Sequence, residues 1–132
     1  MLKLVGFYCF LLATCSATHF LFGVEVKCAL DDVFSVTVSH WEDDDERYYQ
    51  SDDQISDRDE IATAYKKIFL YQRGKQDEEY GDSFEPFGRF YHNCTKDREF
   101  VVYQKRLPDT PKEHGLEYME YSVDLTDARG EL

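Results

Sequence analysis

Tyr91-His92-Asn93-Cys94-Thr95 sets an imidazole, a thiol and an Asn-x-Thr pattern within five residues, and each combination names a different chemistry. A free Cys94 thiolate beside His92 would be a nucleophile with its base. The same pair would make half of a metal site. A Cys94 bonded to a second cysteine would instead be a structural bridge. Asn93-Cys94-Thr95 also satisfies the acceptor rule for an N-glycan. The compartment in which the chain folds decides among these, and the N terminus speaks to the compartment.

Lys3, the apolar run from Leu4 to Ala13 and the small residues Cys15-Ser16-Ala17 read as a secretory signal cut after Ala17. The run is shorter than the roughly 20 apolar residues of a membrane span, so an integral membrane protein is not expected. The remaining segment, 18–132, has 132 − 17 = 115 residues, which suits one domain with its own core. Its formal charge moves from −12 to −13 with the loss of Lys3. Nucleic acid is therefore a poor partner, because phosphate contacts need a basic face. An anionic membrane would repel the chain overall.

Two of the four cysteines, Cys9 and Cys15, lie in the signal, which leaves Cys28 and Cys94. An even pair in an oxidising compartment reads as one disulfide and removes the zinc reading of Cys type. His92 and His40 then read as hydrogen-bonded strand residues. With His19 and His114 they show no spacing that predicts a copper or zinc centre, and no metal or other cofactor is expected. Asn93 remains the glycan acceptor.

The acid-rich stretch from Glu42 to Glu60 invites a calcium reading. An EF-hand loop needs Gly at its sixth position, where this chain has Tyr48 counting from Asp43 and Ala62 counting from Asp57. The motif fails. Asp43, Asp44, Asp45, Asp52 and Asp53 are left as the candidate ligand or calcium loop, against a default of a solvated, self-repelling segment.

The elements that must position these residues are strands. Phe34, Val36 and Val38 alternate with Ser35, Thr37 and Ser39, the period-2 pattern of a half-buried strand. "FGVEVKCAL", "KIFLYQ" closing on Gly74, "FEPFGRFYHNC", "EFVVYQKRLP" and "LEYMEYSVDL" read the same way, with Pro86 at a strand start and Pro108 ending another. Ile61, Ala64, Tyr65 and Ile68 keep helical spacing, so irregular or helical structure is expected ahead of "KIFLYQ". The tail after Leu125 is expected to fray. Short strands with little helix predict an all-β antiparallel sandwich of Greek-key type.

"FEPFGRFYHNC" resembles the strand of nematode transthyretin-like proteins that runs from an Asp-Pro pair to a Tyr-His-x-Cys end, with Glu85-Pro86 and Tyr91-His92-Asn93-Cys94 in those places. "VEVKC", "VFSVTVSHWEDDD", "KIFLYQRG" and "YMEYSVDL" are similar to the neighbouring family strands in order, from about Val24 to about Leu125. "ALDD" after the first cysteine and Ala64-Tyr65-Lys66-Lys67 depart from the family pattern. The resemblance implies a transthyretin-like sandwich, secretion, and no established catalytic activity. One branch of that family bridges exposed phosphatidylserine on dying cells, so an extracellular protein, a cell surface or a lipid is the implied partner. The tail Arg129-Gly130 lacks the Tyr and Ser of the related purine-pathway hydrolase, and no nucleophile, base and oxyanion donor converge. The expected function is a secreted, non-catalytic interaction protein using its acidic loops. The alternative is a carrier of a small apolar ligand in a sandwich or interface cavity. The sequence sets neither partner nor oligomeric state.

Overall fold

The computed structural model describes residues 17–43, 52–76, 83–111 and 115–131. Ten strands follow in chain order: β1 (Thr18–Lys27), β2 (Val33–Glu42), β3 (Asp53–Gln54), β4 (Glu60–Tyr65), β5 (Lys67–Gln76), β6 (Ser83–Phe84), β7 (Pro86–His92), β8 (Val101–Arg106), β9 (Thr110–Pro111) and β10 (Gly115–Asp124). One sheet has the order β10-β1-β5, with β1 parallel to β10 and antiparallel to β5. The facing sheet runs β3-β2-β7-β8, with β4 also paired to β2, and β6 pairs with β9. The chain is an all-β sandwich, and no helix occurs among the described residues.

Alternation explains which side of each strand is buried. β1 turns Phe20, Phe22, Val24 and Val26 inward, and β2 answers with Phe34, Val36, Val38 and His40. Phe90, Val123 and Leu125 complete the main core. Each fully buried Val or Phe contributes about 1.5–3 kcal/mol by leaving water, so the inner faces dominate the stability. A second apolar cluster of Phe20, Phe22, Ile55, Phe84 and Leu107 closes one end.

The segment with helical spacing is a strand. β4 pairs with β2 from Val33/Tyr65 to Val38/Glu60, with Ala62 and Ala64 packed against the core. A neighbouring strand with unpaired backbone groups outcompetes weak helical periodicity, because propensity is a weak prior beside tertiary pairing. Lys66 then turns the chain, with φ 67°, from one sheet into the other. Past β3, residues Ile55–Asp57 sew the two sheets together. Ile55 N–H donates to His40 O (2.8 Å), Lys75 N–H to Ile55 O (3.0 Å), and Asp57 N–H to Arg73 O (2.9 Å). Gly74 permits this seam, since a Cβ there would stand 2.1 Å from Ile55 O.

The tail is tied down. Asp127 N–H donates to Cys94 O (2.8 Å), Gly130 N–H to Val102 O (2.8 Å), and Gln104 N–H to Gly130 O (3.0 Å). No helix among the described residues is long and apolar enough to cross a membrane.

Candidate functional site

Cys28 and Cys94 are joined, their Cα atoms 6.0 Å apart, tying the end of β1 to the residue two beyond β7. Beside them His92 is fully buried. Cys94 N–H donates to His92 Nδ1 (3.0 Å), so the ring proton sits on Nε2 and donates to Ala128 O (2.8 Å). Burial pulls His92 below the ordinary imidazole range. Asn93 Oδ1 accepts from Ser35 N–H (2.7 Å), and the Thr95 hydroxyl, fully buried, donates to Glu99 O (2.8 Å). This corner holds no thiolate and no open ring nitrogen.

His40 lies deeper. Its ring stacks on Phe22 at 3.9 Å, and it is sealed from solvent. The Gln72 amide donates to Val38 O (2.8 Å) and Arg58 O (3.2 Å), which makes its oxygen the acceptor from His40 Nδ1–H (2.6 Å). Nε2 therefore accepts from the Tyr121 hydroxyl (2.7 Å). Desolvation lowers His40 to about 4 and raises Tyr121 well above the ordinary phenol range. A neutral imidazole holding a neutral phenol is a polar layer in the core, with neither group poised to move a proton near neutrality.

Of the five acidic-loop candidates, Asp43, Asp52 and Asp53 are described. Asp43 pairs with Arg106 at 2.6 Å, and Asp53 accepts weakly from Gln76 (3.4 Å). Asp44, Asp45 and His114 lie outside the described residues. Among the described residues no group of three or more His, Cys, Asp or Glu could hold a metal ion.

The surface that gathers functional groups is the outer face of the β10-β1-β5 sheet. Along β5 the outward side chains are Lys67, Phe69, Tyr71, Arg73 and Lys75. Along β1 they are His19, Leu21, Gly23, Glu25 and Lys27. Along β10 they are Leu116, Tyr118, Glu120, Ser122 and Asp124. The ladders align these columns in rows: Arg73, Leu21 and Tyr118 lie abreast, as do Tyr71, Gly23 and Glu120. β5 thus presents three cations and no acid, and β10 two acids and no cation.

Apolar side chains are interspersed among these charges on β5 and β10, while β1 between them carries Glu25 and Lys27 beside Leu21 and Gly23. Leu116 is 70% exposed, Tyr71 60%, and Phe69 and Tyr118 50% each. Tyr71 and Tyr118 lean over Gly23 from either side; a Cβ there would meet the Tyr71 ring at 3.1 Å and the Tyr118 hydroxyl at 3.3 Å. The Tyr118 hydroxyl donates to Glu120 (2.6 Å), which pushes its ionisation up to about 12. Two adjoining grooves of about 510 and 520 Å³ open at the rim of this face and share Leu21, Asp57 and Arg73. Arg58, Glu60 and Gln72 line the first, so its floor hydrogen-bonds directly to His40. On the opposite sheet Arg89 lies 4.4 Å over Trp41 and Tyr91 stacks on Phe100 at 4.9 Å, while Ile61 is 76% and Tyr65 55% exposed.

The outward aromatic and leucine side chains of β5 and β10 did not stand out in the sequence as a site. Their alternation is visible in "KIFLYQRGK", but alternation alone does not say which side faces water.

Fold and site together define an all-β sandwich domain with one aromatic, charge-divided sheet face. No family model matches the chain. It is 50% identical over 125 residues to Protein lin-61 of Caenorhabditis elegans, an alignment that covers 93% of this chain and 20% of that protein. The chain thus spans about a fifth of the length of the curated relative it matches.

This overturns the transthyretin-like assignment, since the matched protein carries a different name and no family model supports the resemblance. Alternating strands and one Tyr-His-x-Cys end are features any sandwich with a strand-end cysteine can show. The secreted transthyretin-like interaction role, which joined the N-terminal signal reading to that resemblance, falls with the assignment, and so does its carrier alternative. The nematode relation agrees with the match.

Proposed function

We propose that this domain is a non-catalytic interaction module and that its contact surface is the outer face of the β10-β1-β5 sheet. One observation carries the reading: Phe69, Tyr71, Leu116 and Tyr118, each at least half exposed, are held on one rigid three-stranded face beside two grooves. A contiguous apolar patch rimmed by charge is a feature of contact surfaces, and Tyr and Arg are the residues enriched in them. A module without chemistry accords with His40 and Tyr121 locked in a neutral pair and both described cysteines bonded. An interaction domain is also a unit that a longer protein can carry, which suits a match to a fifth of lin-61.

Site-specific photocrosslinking in cells tests the face. A photoreactive residue at Leu116 should yield a discrete covalent adduct, while one at Ile61, 76% exposed on the other sheet, should yield only background. Equal labelling from both positions, or none from Leu116, would reject this surface.

A further inference from the structure

We infer that the partner this face accepts is a second copy of the same chain, docked face to face about a two-fold axis parallel to β1. The inference rests on the reading of the face given above and names its occupant.

A two-fold interface brings a surface onto itself, so the sign pattern must complement itself. Two facing arrangements exist for a sheet. With the axis across the strands, β5 lies on the partner's β5. Lys67 then opposes the partner's Lys75, and Glu120 opposes the partner's Glu120. With the axis along the strands, β5 lies over the partner's β10. Lys67 then faces the partner's Asp124, and Arg73 faces the partner's Tyr118 with the partner's Glu120 on the diagonal. Stacked sheets cross at about 30°, which keeps these rows within reach of long side chains. The cation column on β5 and the acid column on β10 therefore select the second arrangement.

The central column tolerates that axis. Leu21, Glu25 and Lys27 each meet their own copy there, and within each copy Glu25 and Lys27 are paired at 3.0 Å, so the charges meet as two neutral pairs. The plateau of Tyr71 and Tyr118 over Gly23 packs on the same plateau reversed, so that aromatic surface meets aromatic surface. Strands spaced about 4.8 Å apart give a face of about 15 by 30 Å, or roughly 1,100 Å² buried over both copies once rim side chains count. That is the low end for a specific interface, so a reversible dimer is expected and not an obligate one. Each copy carries a net charge of −12, which opposes association at long range. At physiological salt the screening length is about 8 Å, so the long-range repulsion is damped while contacts at the interface survive.

Sedimentation velocity of the full chain at physiological salt, from low to several hundred micromolar, tests the pairing. Wild type should show a concentration-dependent monomer–dimer equilibrium. Arg73→Glu and Glu120→Arg should each raise the dimer dissociation constant at least about tenfold, since each sets like charges against each other. The double variant, which restores opposite signs across the axis, should return to within about threefold of wild type. Circular dichroism of every variant reports that the sandwich is intact. A wild type monomeric throughout, single variants that dimerise normally, or a double variant as weak as the singles would each overturn the inference. The Leu116 adduct separates the two readings. A heterologous adduct from a monomeric protein removes the self-pairing and keeps the face, whereas no adduct removes both.

Discussion

Acid should loosen this protein through His40 before its carboxylates are fully protonated. In the fold His40 accepts the Tyr121 hydroxyl on Nε2 and donates from Nδ1 to Gln72, with Phe22 stacked on the ring. A second proton would oblige the Tyr121 hydroxyl to turn and accept, and would place a charge inside a site closed to water. Burial accordingly holds the group at about 4, against 6.5 when free. Above pH 6.5 both states are neutral at this site and its contribution to stability is complete. Between about 6.5 and 4 the unfolded chain takes up a proton that the folded one refuses, so stability falls with pH and levels off below about 4. At about 1.4 kcal/mol per pH unit the loss is about 3 kcal/mol, a large part of a total of about 5–15 kcal/mol. Tyr121, the titratable group facing the ring, stays neutral throughout this window. His92, also held below the ordinary imidazole range, falls in the same direction, so the comparison must be differential. Urea unfolding of wild type and His40→Gln, at steps from about pH 7.5 to 4, supplies it. The variant should start less stable and fall less steeply, so that the two curves approach each other by about 3 kcal/mol at the acid end. Parallel curves would refute the claim that His40 is held neutral by the fold.

The Cys28–Cys94 bridge spans a sequence separation of 66. On the loop-entropy estimate, replacing both cysteines by Ala should cost about 4 kcal/mol in denaturant unfolding, and reducing agent should reproduce the loss. Gly74→Ala brings a Cβ to 2.1 Å from Ile55 O and should destabilise by about 2–3 kcal/mol, with faster amide exchange at Lys75 and Asp57 where the seam opens. Gly88→Ala sets a Cβ 2.4 Å from the Tyr121 hydroxyl and should push it off His40, seen as a changed imidazole nitrogen shift in NMR. Glu120→Gln removes the carboxylate that holds the Tyr118 phenol, and the ¹³Cζ titration of Tyr118 should move from about 12 towards 10.

Much of the scaffold was legible in the sequence because strand burial has a period of two. Phe34, Val36 and Val38 declare a buried face by themselves, and they occupy it. Residues 60–65 misled because Ile61, Ala64 and Tyr65 fit a helical stripe; only the free edge of β2 made them a strand. The family resemblance misled for the same reason, being built of patterns that sandwiches share. The chemistry-bearing residues misled differently. His92, Cys94 and Thr95 are adjacent in the chain but turn inward to backbone partners, so their proximity is architectural.

The order of residues along the chain determined, unaided, that this protein is a sandwich of alternating strands with a strongly acidic balance. Both properties are local sums, readable without knowing which segments meet. Tertiary structure alone decided that Gln72 fixes the tautomer of His40, that Gly74 lets residues 55–57 join the sheets, and that cations of β5 and acids of β10 share one face across β1. Those facts depend on strand order and register, which couple residues about 15 to 100 apart in the chain, and nothing local to either residue encodes its partner.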